Sequence, residues 1–392
     1  MKRIQKKVRS SKKKQHYTKK KILIISRYPI KKKNDYRYFF ISECEDTYEL
    51  INLSYNNYFV KNNHKQLIKD LNSILFSKKI SLFIDLIFHI DTSIKNNSYR
   101  NHLKFIYEIR KIINSHKIKS IKFIYSWLSK WSVRPWVFFH YGKYLYKIIQ
   151  NLFLEKIYKY PHSDYICITG GYGKFEVFKF GIKKIFFPHF DFLIHNLNNH
   201  RNEKLSFLKN KKFIVYLDQN IQFSHDRKII KIKRNFSTLE EELDKYFTLI
   251  KKKFNLEIIV ASHPKRDLKR KTILTKKWKV IKGYTSDLVK RSEAVIAHDS
   301  MSINYAVLNL KPLIFLTTDQ LNQSDLYSHT ISIWSKYFKK EKINISDPSQ
   351  DLVKANILNI NKSVYKKYKN DFILPKENFT LDFRNLLKKI IQ

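Results

Sequence analysis

Short runs of β-branched and other apolar residues recur along the chain, separated by longer segments with helical periodicity. In the second half, three such runs cover Ile258–Ala261, Ala294–Ala297 and Leu313–Leu316. They are too short and too rich in Ile and Val for helices. Because polar residues do not alternate within them, they are typical of parallel strands buried on both faces. The pattern predicts a parallel sheet whose strands are joined by helices.

Runs of the same kind predict further strands at Lys21–Ser26, Tyr48–Leu53, Asp164–Thr169, Lys184–Phe187, Phe213–Leu217 and Trp278–Ile281. Apolar spacings of three and four predict helices over Asn63–Ser115, Ser237–Phe254, Met301–Leu310 and Leu381–Ile391. The helix at Ser237 would open with a Ser-x-x-Glu capping box that ends at Glu240. An aromatic segment with interleaved basic residues, Phe123–Tyr146, predicts either a core helix or a membrane-interface segment. This alternation of strands and helices predicts an α/β fold with doubly wound parallel sheets.

The length of 392 residues and 47.5 kDa suits two domains, each large enough to bury a core. We expect a basic arm at 1–20, a first domain at 21–187 and a linker at 188–210. A second domain at 211–375 and a C-terminal helix within 376–392 complete the predicted organisation. Hydrophobic residues make up 43% of the chain, which argues against overall disorder.

The chain is strongly basic, with 78 Lys and Arg against 33 Asp and Glu, a formal net charge of +45. Such an excess predicts a polyanionic partner, which could be nucleic acid, an anionic membrane surface or an acidic polymer. The sequence has no zinc-finger spacing, RNP motif, KH-type loop or basic zipper, and its positive charge is scattered. We therefore expect an anionic membrane surface as partner and no nucleic acid. The arm at 1–20 is either an electrostatic tether or a solvated tail.

Two cysteines, Cys44 and Cys167, are too few for a disulfide framework, which predicts a reduced, cytoplasmic protein. No run of 18 uncharged apolar residues occurs, so no membrane-spanning helix is expected. With the basic arm, this favours a peripheral location on the inner face of the cytoplasmic membrane.

Polar residues follow the three strands of the second half at the point where each strand ends. They are Ser262, His263, Pro264 and Lys265 after the first strand, His298, Asp299, Ser300 and Ser302 after the second, and Thr317, Thr318 and Asp319 after the third. In open α/β sheets the ligand lies beyond the carboxyl ends of the strands, so these side chains should line one crevice. Ser300 is a good N-cap for the helix predicted from Met301, and the free amides of that first turn would bind an anion.

The His263–Pro264 pair, the hydroxyl-rich turn at Ser300 and Ser302, and the following Lys311-Pro312 with its apolar strand carry a family resemblance. This half of the chain resembles bacterial GT-B glycosyltransferases that use CMP-activated sugars, including the sialyl-, polysialyl- and Kdo-transferases of capsule and lipopolysaccharide synthesis. The segment Asp299–Phe315 also resembles the CDP-glycerol glycerophosphotransferases of teichoic acid synthesis.

The resemblance implies an α/β GT-B fold, in which two Rossmann-like domains face a central cleft and the C-terminal helix packs back on the first domain. It implies an inverting, metal-independent glycosyltransferase that moves a sugar from a CMP-linked donor to a glycan or glycolipid acceptor. No cofactor beyond the nucleotide sugar is expected. A glycerophosphotransferase and a non-enzymatic polyanion- or nucleic-acid-binding protein remain the alternatives.

Candidate roles follow from the chemistry of transfer, which must stabilise charge on the leaving nucleotide and deprotonate the acceptor. His263 is the candidate phosphate contact, with Pro264 stiffening its turn and Lys265 adding charge. Ser300 and Ser302 would hold the phosphate or the ribose, with His298 beside them and Asp299 orienting a histidine or a ribose hydroxyl. The candidate bases are Asp191, Asp218 and Glu43.

Gly170 and Gly171 belong to a glycine-rich turn that would let the backbone approach a ligand in the interdomain cleft. An Asp-x-Asp pair, metal-ligand spacings of His or Cys, and a Gly-x-Ser-x-Gly elbow are missing from the sequence. We therefore expect no metal and no serine-hydrolase chemistry.

Overall fold

The computed structural model of the 392-residue chain describes residues 19–26, 44–45, 47–54, 63–86, 107–125, 163–170, 183–197, 203–223, 238–264, 266–347, 355–375, 379 and 383–392. Every structural statement below concerns these residues. They form two parallel β-sheets, one from each half of the chain.

The first sheet contains six strands, and each joins its neighbours in parallel. They are β1 Lys20–Ser26, β2 Tyr48–Ser54, β3 Ile80–Leu86, β4 Ser120–Tyr125, β5 Tyr165–Thr169 and β6 Lys183–Phe187, in the order β2-β1-β3-β4-β5-β6. The core residues of β1, Ile22 to Ile25, are completely buried or nearly so. Burial on both faces explains why this strand shows no polar alternation.

The second sheet also has six parallel strands. They are β7 Phe213–Leu217, β8 Glu257–Ser262, β9 Lys279–Lys282, β10 Ala294–Ala297, β11 Leu313–Thr317 and β12 Lys342–Asn344, in the order β12-β11-β10-β7-β8-β9. The first strand of this sheet in chain order, β7, lies between β8 and β10, so later strands are added on both sides of it. The junction of β7 and β10 is therefore a topological switch point, where ligands bind in doubly wound folds.

Helices connect the strands. They are α1 His64–Ser77, α2 107–115, α3 Phe190–Leu197, α4 Leu239–Phe254, α5 Ile273–Lys277, α6 Thr285–Arg291, α7 Ile303–Leu308, α8 Asp319–Asn322, α9 Asp325–Tyr337, α10 Lys362–Tyr368 and α11 Phe383–Ile391. A π-helical turn, Lys369–Ile373, continues α10. Short 3₁₀ turns occur at Glu203–Leu208, Ile221–Phe223 and Ala355–Leu358. Glutamates in the first turn of α4 and lysines in its last turn match the helix dipole, and Asn255 ends the helix in the left-handed region at φ 52°.

The prediction of helix over Asn63–Ser115 was wrong in its middle. Helix α1 ends at Ser77, and Ile80–Leu86 forms strand β3 between β1 and β4. Leu82 and Ile84 are buried on one face of this strand. The spacing of two between these buried residues indicates a strand. Apolar residues at neighbouring positions also fit a helix, so periodicity alone did not distinguish a strand from a helix here.

Two helix starts also differ from the prediction. Helix α4 begins at Leu239, and its N-cap residue Thr238 makes no side-chain capping bond. Glu240, the glutamate of the predicted capping box, is buried. It accepts hydrogen bonds from Arg266 and from the backbone N–H of Leu274. Of the aromatic segment Phe123–Tyr146, Phe123 lies in strand β4 and not in a core helix, and residues 126–146 lie outside the described residues.

Helix α11 packs against the first sheet. Its apolar face shares one buried core with β1, β3, β4 and β6, and the Phe383 ring centroid lies 6.0 Å from those of both Phe123 and Phe187. Lys119 adds a hydrogen bond of 2.8 Å to the Ile390 carbonyl. The last described helix of the chain therefore belongs to the core of the first domain. Within the part of the chain that the structure describes, no helix combines the length and apolar character needed to cross a membrane.

Candidate functional site

The crevice at the carboxyl ends of the second sheet brings together several residues that the sequence placed at strand tips. Asp218 follows β7, His263 follows β8, and His298 and Asp299 follow β10. The side-chain oxygen of Gln219 accepts a hydrogen bond of 2.9 Å from the Asp299 backbone N–H. This contact bridges the tips of β7 and β10 across the switch point.

Asp218 is buried and accepts four hydrogen bonds. Its Oδ1 accepts from the Asn220 backbone N–H at 2.8 Å and from Arg266 Nη2 at 2.9 Å. Its Oδ2 accepts from the His263 backbone N–H at 3.1 Å and from Arg266 Nε at 2.6 Å. Four donors occupy all four lone-pair positions of a carboxylate. In this arrangement Asp218 fixes the tips of β7 and β8 relative to each other.

Arg266 is the centre of this cluster, and it was missed by the sequence reasoning. It forks onto Asp218 and also donates from Nη1 to Glu240 at 3.1 Å, while only 4% of its surface is exposed. Burial lowers the pKa of Arg266, but hydrogen bonds and charges from Asp218 and Glu240 outweigh this, so its pKa lies above the ordinary value. The only available signal was its position just after His263–Pro264, among many other basic residues.

His298 is completely buried at the end of β10. Its Nδ1 lies 2.7 Å from the Leu316 carbonyl, and because a carbonyl only accepts, Nδ1 carries the proton. Burial lowers the pKa of His298 from 6.5 to about 4, so the imidazole is neutral near pH 7. Nε2 is buried and makes no hydrogen bond within the described part of the chain. His298 thus supplies packing and polarity, and no positive charge, behind the crevice.

Asp299 anchors the loop after β10 to helix α9. Trp334 Nε1 donates to Asp299 Oδ1 at 2.8 Å, and burial raises the pKa of this carboxyl group. The described contacts of Asp299 thus include an indole, and its expected contact with a histidine or a ribose hydroxyl stays a prediction. The anchor holds the backbone of the next residues at the crevice.

The loop of residues 300–302, termed the donor loop below, differs from the predicted helix start. Helix α7 begins at Ile303 and not at Met301, and Ser300 Oγ accepts from the Ser302 backbone N–H at 3.3 Å. The amides of Ile303 and Asn304 are already bonded to the Ser300 and Met301 carbonyls, at 3.2 and 3.1 Å. The two amides of the loop that remain without a partner among the described residues belong to Ser300 and Met301. Unpaired backbone amides of this kind are groups that can bind an anion.

The remaining sequence candidates lie at other strand tips or outside the described residues. His263 and Pro264 sit at the tip of β8, with His263 half-buried and Pro264 exposed. Gly170 ends β5 at φ 81°, where a side chain would be unfavourable, and its N–H donates to the Phe187 carbonyl at 2.8 Å. The residues outside the described ranges are Glu43, Gly171 and Lys265.

Asp191 opens helix α3, in the linker between the sheets. Its Oδ2 accepts from Asn304 Nδ2 at 2.8 Å, and His189 Nδ1 lies 3.3 Å away. Burial raises the pKa of Asp191, whereas His189 and hydrogen bonds from Asn304 and Tyr305 lower it more, so its pKa lies below the ordinary value. Asp191 is therefore an ionised carboxylate against the first turn of α7, where its partner Asn304 follows the donor loop by two residues.

Two Rossmann-like domains facing a central cleft, each with a parallel sheet, define the GT-B fold, and this chain has it. The fold is similar to that of UGT89C1 from Arabidopsis thaliana, with 12% identity, coverage of 95% of this chain and 100% of that one, and a TM-score of 0.51. It is also similar to the S. aureus MnaA–UDP co-structure, with 10% identity, coverage of 94% and 95%, and a TM-score of 0.50. No protein-family model and no curated protein matches the sequence.

Among the described residues, no group of three or more His, Cys, Asp or Glu side chains could hold a metal ion. The groups that the crevice offers to a ligand are backbone amides, hydroxyls and an imidazole. Such groups suit an anionic ligand with hydroxyls.

Proposed function

We propose that the protein is a glycosyltransferase that binds a nucleotide-sugar donor at the switch point of the second sheet. The observation that carries this proposal is the donor loop, held between Gln219 and Trp334 with the Ser300 and Met301 amides unpaired. The GT-B fold supports it, because the cleft between two Rossmann-like domains allows a donor and an acceptor to meet. The similar MnaA structure contains UDP, a nucleotide of the required kind.

Electrostatics at the crevice favour an anionic donor. Arg266 pairs with both Asp218 and Glu240 and offsets one of their two negative charges, and Trp334 donates a hydrogen bond to Asp299. The carboxylates nearest to the proposed phosphate position therefore repel it less than free carboxylates would. In the transition state, negative charge grows on the leaving phosphate, and fixed amides stabilise it without reorganisation.

The acceptor hydroxyl must lose a proton to a base that faces the cleft. Asp191 and Glu43 remain the candidates, and Asp218 takes a positioning role in this proposal because its lone pairs are occupied. Transfer would be inverting and metal-independent. His263 would contact the phosphate, so His263→Ala should abolish transfer and leave the fold intact.

The donor nucleotide distinguishes the alternatives. The sequence around His263–Pro264 favours a CMP-linked sugar, with a surface glycan or glycolipid as acceptor at the inner face of the cytoplasmic membrane. A UDP-linked donor would keep the reaction class and change the nucleotide. A CDP-glycerol donor would make the enzyme a glycerophosphotransferase.

Calorimetric titration of the purified protein with CMP, CDP, UDP, GDP and ADP, in the absence of added metal, tests this proposal. We expect one nucleotide to bind best, and the double change Ser300→Ala with Ser302→Ala to weaken that binding by about tenfold, as the loss of hydrogen bonds to a charged group predicts. The matched control is Ser363→Ala, an exposed serine of α10 that bonds Asn361. Equal weakening in the control, or no binding of any nucleotide, would contradict the proposal.

A further inference from the structure

Three segments that are distant in sequence meet behind the donor loop. They are the linker at Pro188–Asp191, the first turn of α7, and the end of α10 with its π-helical turn. The His189 backbone N–H donates to the Ile373 carbonyl at 2.8 Å, so the linker and the π-helical turn are joined directly. The linker leads from the first domain to the second, and the π-helical turn precedes α11, which returns to the first domain.

Asn304 is the residue that connects all three segments. Its Nδ2 donates to Asp191 Oδ2 at 2.8 Å and lies 3.3 Å from His189 Nδ1, and its Oδ1 accepts from the Tyr368 hydroxyl at 2.9 Å. Only 1% of its surface is exposed. Both ends of one amide group are therefore committed, one to the linker and one to α10.

The members of the network are buried, except for Asp191, which is partly buried. Tyr368 is completely buried, and Tyr305 donates a further hydrogen bond to Asp191. When a buried hydrogen bond breaks, water does not replace the lost partner, so the arrangement is held as a unit. The linker therefore cannot change its position relative to α7 without breaking several of these bonds.

Asn304 is also bound to the donor loop through the backbone. It follows Ser302 by two residues, and its N–H donates to the Met301 carbonyl at 3.1 Å. A shift of this carbonyl on ligand binding is passed to Asn304 through that bond. Hinges of domain closure are a few residues at the ends of elements, and the described contacts place Asn304 at such a position.

We propose that Asn304 is a positioning residue that couples the donor loop to the two interdomain crossings, so that nucleotide binding and the angle between the domains depend on each other. The inference rests on the proposed function, since it assigns regulation to the same site. Coupling of this kind is reciprocal: what loosens the network weakens nucleotide binding, and bound nucleotide protects the network.

The test compares two tyrosines of the same helix. Tyr368→Phe removes the hydroxyl that bonds Asn304, whereas Tyr365→Phe removes a buried hydroxyl that bonds the Lys311 carbonyl at 2.8 Å, outside the network. Each variant loses one buried hydrogen bond, so both should lower Tm by a similar few degrees. Stability alone therefore does not separate a positioning role from a structural one.

Amide hydrogen exchange of the free proteins supplies the first readout. We expect Tyr368→Phe to speed exchange in both the linker at 188–191 and the donor loop, and Tyr365→Phe to leave both segments unchanged. The same exchange pattern in the two variants would overturn the coupling. This readout needs no nucleotide.

Nucleotide affinity supplies the second readout, with the nucleotide that binds wild type best among CMP, CDP, UDP, GDP and ADP. Tyr368→Phe should weaken it on the order of fivefold, the lower end of typical coupling, and Tyr365→Phe should not. Small-angle scattering should show compaction of wild type on nucleotide addition, and less compaction of Tyr368→Phe. Wild type that binds none of the five contradicts the proposed function, whereas binding with equal affinities in both variants contradicts the role of Asn304 alone.

Discussion

Individual residues at the switch point divide into those proposed to contact the nucleotide and those whose hydrogen bonds hold the surrounding loops in place. Asp218 was singled out by the sequence because it follows a strand, and the structure places it at the crevice. Its partner Arg266 could not be identified, since the chain holds 78 Lys and Arg and nothing in the local pattern marks the one that is buried. Removing one member of a buried ion pair typically costs about 3–5 kcal/mol, so Arg266 belongs to the framework of the site.

His298 predicts a pH dependence of stability. Its pKa is about 4 in the folded protein, below the ordinary value of 6.5. Between about pH 6.5 and pH 4, His298 is protonated in the unfolded chain and stays neutral in the folded protein. The stability is therefore complete above about pH 6.5 and decreases until about pH 4, by about 3 kcal/mol in total.

Chemical unfolding at a series of pH values measures this effect, with His298→Asn as the comparison. Asparagine keeps a donor for the Leu316 carbonyl and does not titrate, so the free energy of unfolding of the variant should decrease less between pH 6.5 and 4. Parallel curves for the two proteins would show that His298 does not contribute to the slope.

At the scale of elements, apolar runs predicted five of the six strands of the second sheet to within about two residues, because burial on both faces leaves an unbroken apolar signature. Strand β12 was not predicted, since only its central residue is buried and it contains no apolar run. Strand β3 was missed, since a short apolar run after a helix fits both periods. The start of α7 was misplaced for another reason. Ser300 has the chemistry of a cap, but its side chain bonds the Ser302 amide in a turn before the helix, which only the backbone geometry reveals.

Truncation of a buried side chain on the apolar face of helix α11 should destabilise the first domain. Phe383 contacts Phe123 and Phe187 in the core of the first domain, so Phe383→Ala should lower the free energy of unfolding by about 3–5 kcal/mol. Scanning calorimetry should show the transition of the first domain at a lower temperature. Lys388→Ala, an exposed change in the same helix, is the control. An equal shift in both variants would contradict the packing role of Phe383, because Lys388 is exposed and alanine favours a helix at either position.

At the scale of the whole molecule, the order of the strands in the sheet brings residues that are far apart in sequence to one crevice. The first strand of each sheet lies inside it, so chain reversal creates a crevice at β7 and β10 that collects residues from separate loops. The sequence predicted that strand tips meet. It could not predict the contacts of Asn304 with Asp191 in the linker and with Tyr368 in the second domain, because they join segments far apart in the chain.

The net charge of +45 belongs to the same scale, and the proposed anionic membrane surface makes it testable. Vesicles containing about one third phosphatidylserine should bind the protein, and neutral phosphatidylcholine vesicles should not, because a negative leaflet attracts basic segments with about 1 kcal/mol per well-placed residue. Raising NaCl from about 0.05 to 0.5 M should release the protein, since the screening length shortens severalfold.

Deletion of residues 1–18, which carry eight Lys or Arg, should weaken sedimentation with anionic vesicles and leave nucleotide affinity unchanged. The decisive competitor is a DNA duplex at the same phosphate concentration as the vesicles. If the duplex displaces the protein from the vesicles, and neither CMP nor UDP changes binding to vesicles or to DNA, a nucleic-acid partner is favoured over a membrane. The protein would then bind DNA more tightly than it binds the anionic lipid.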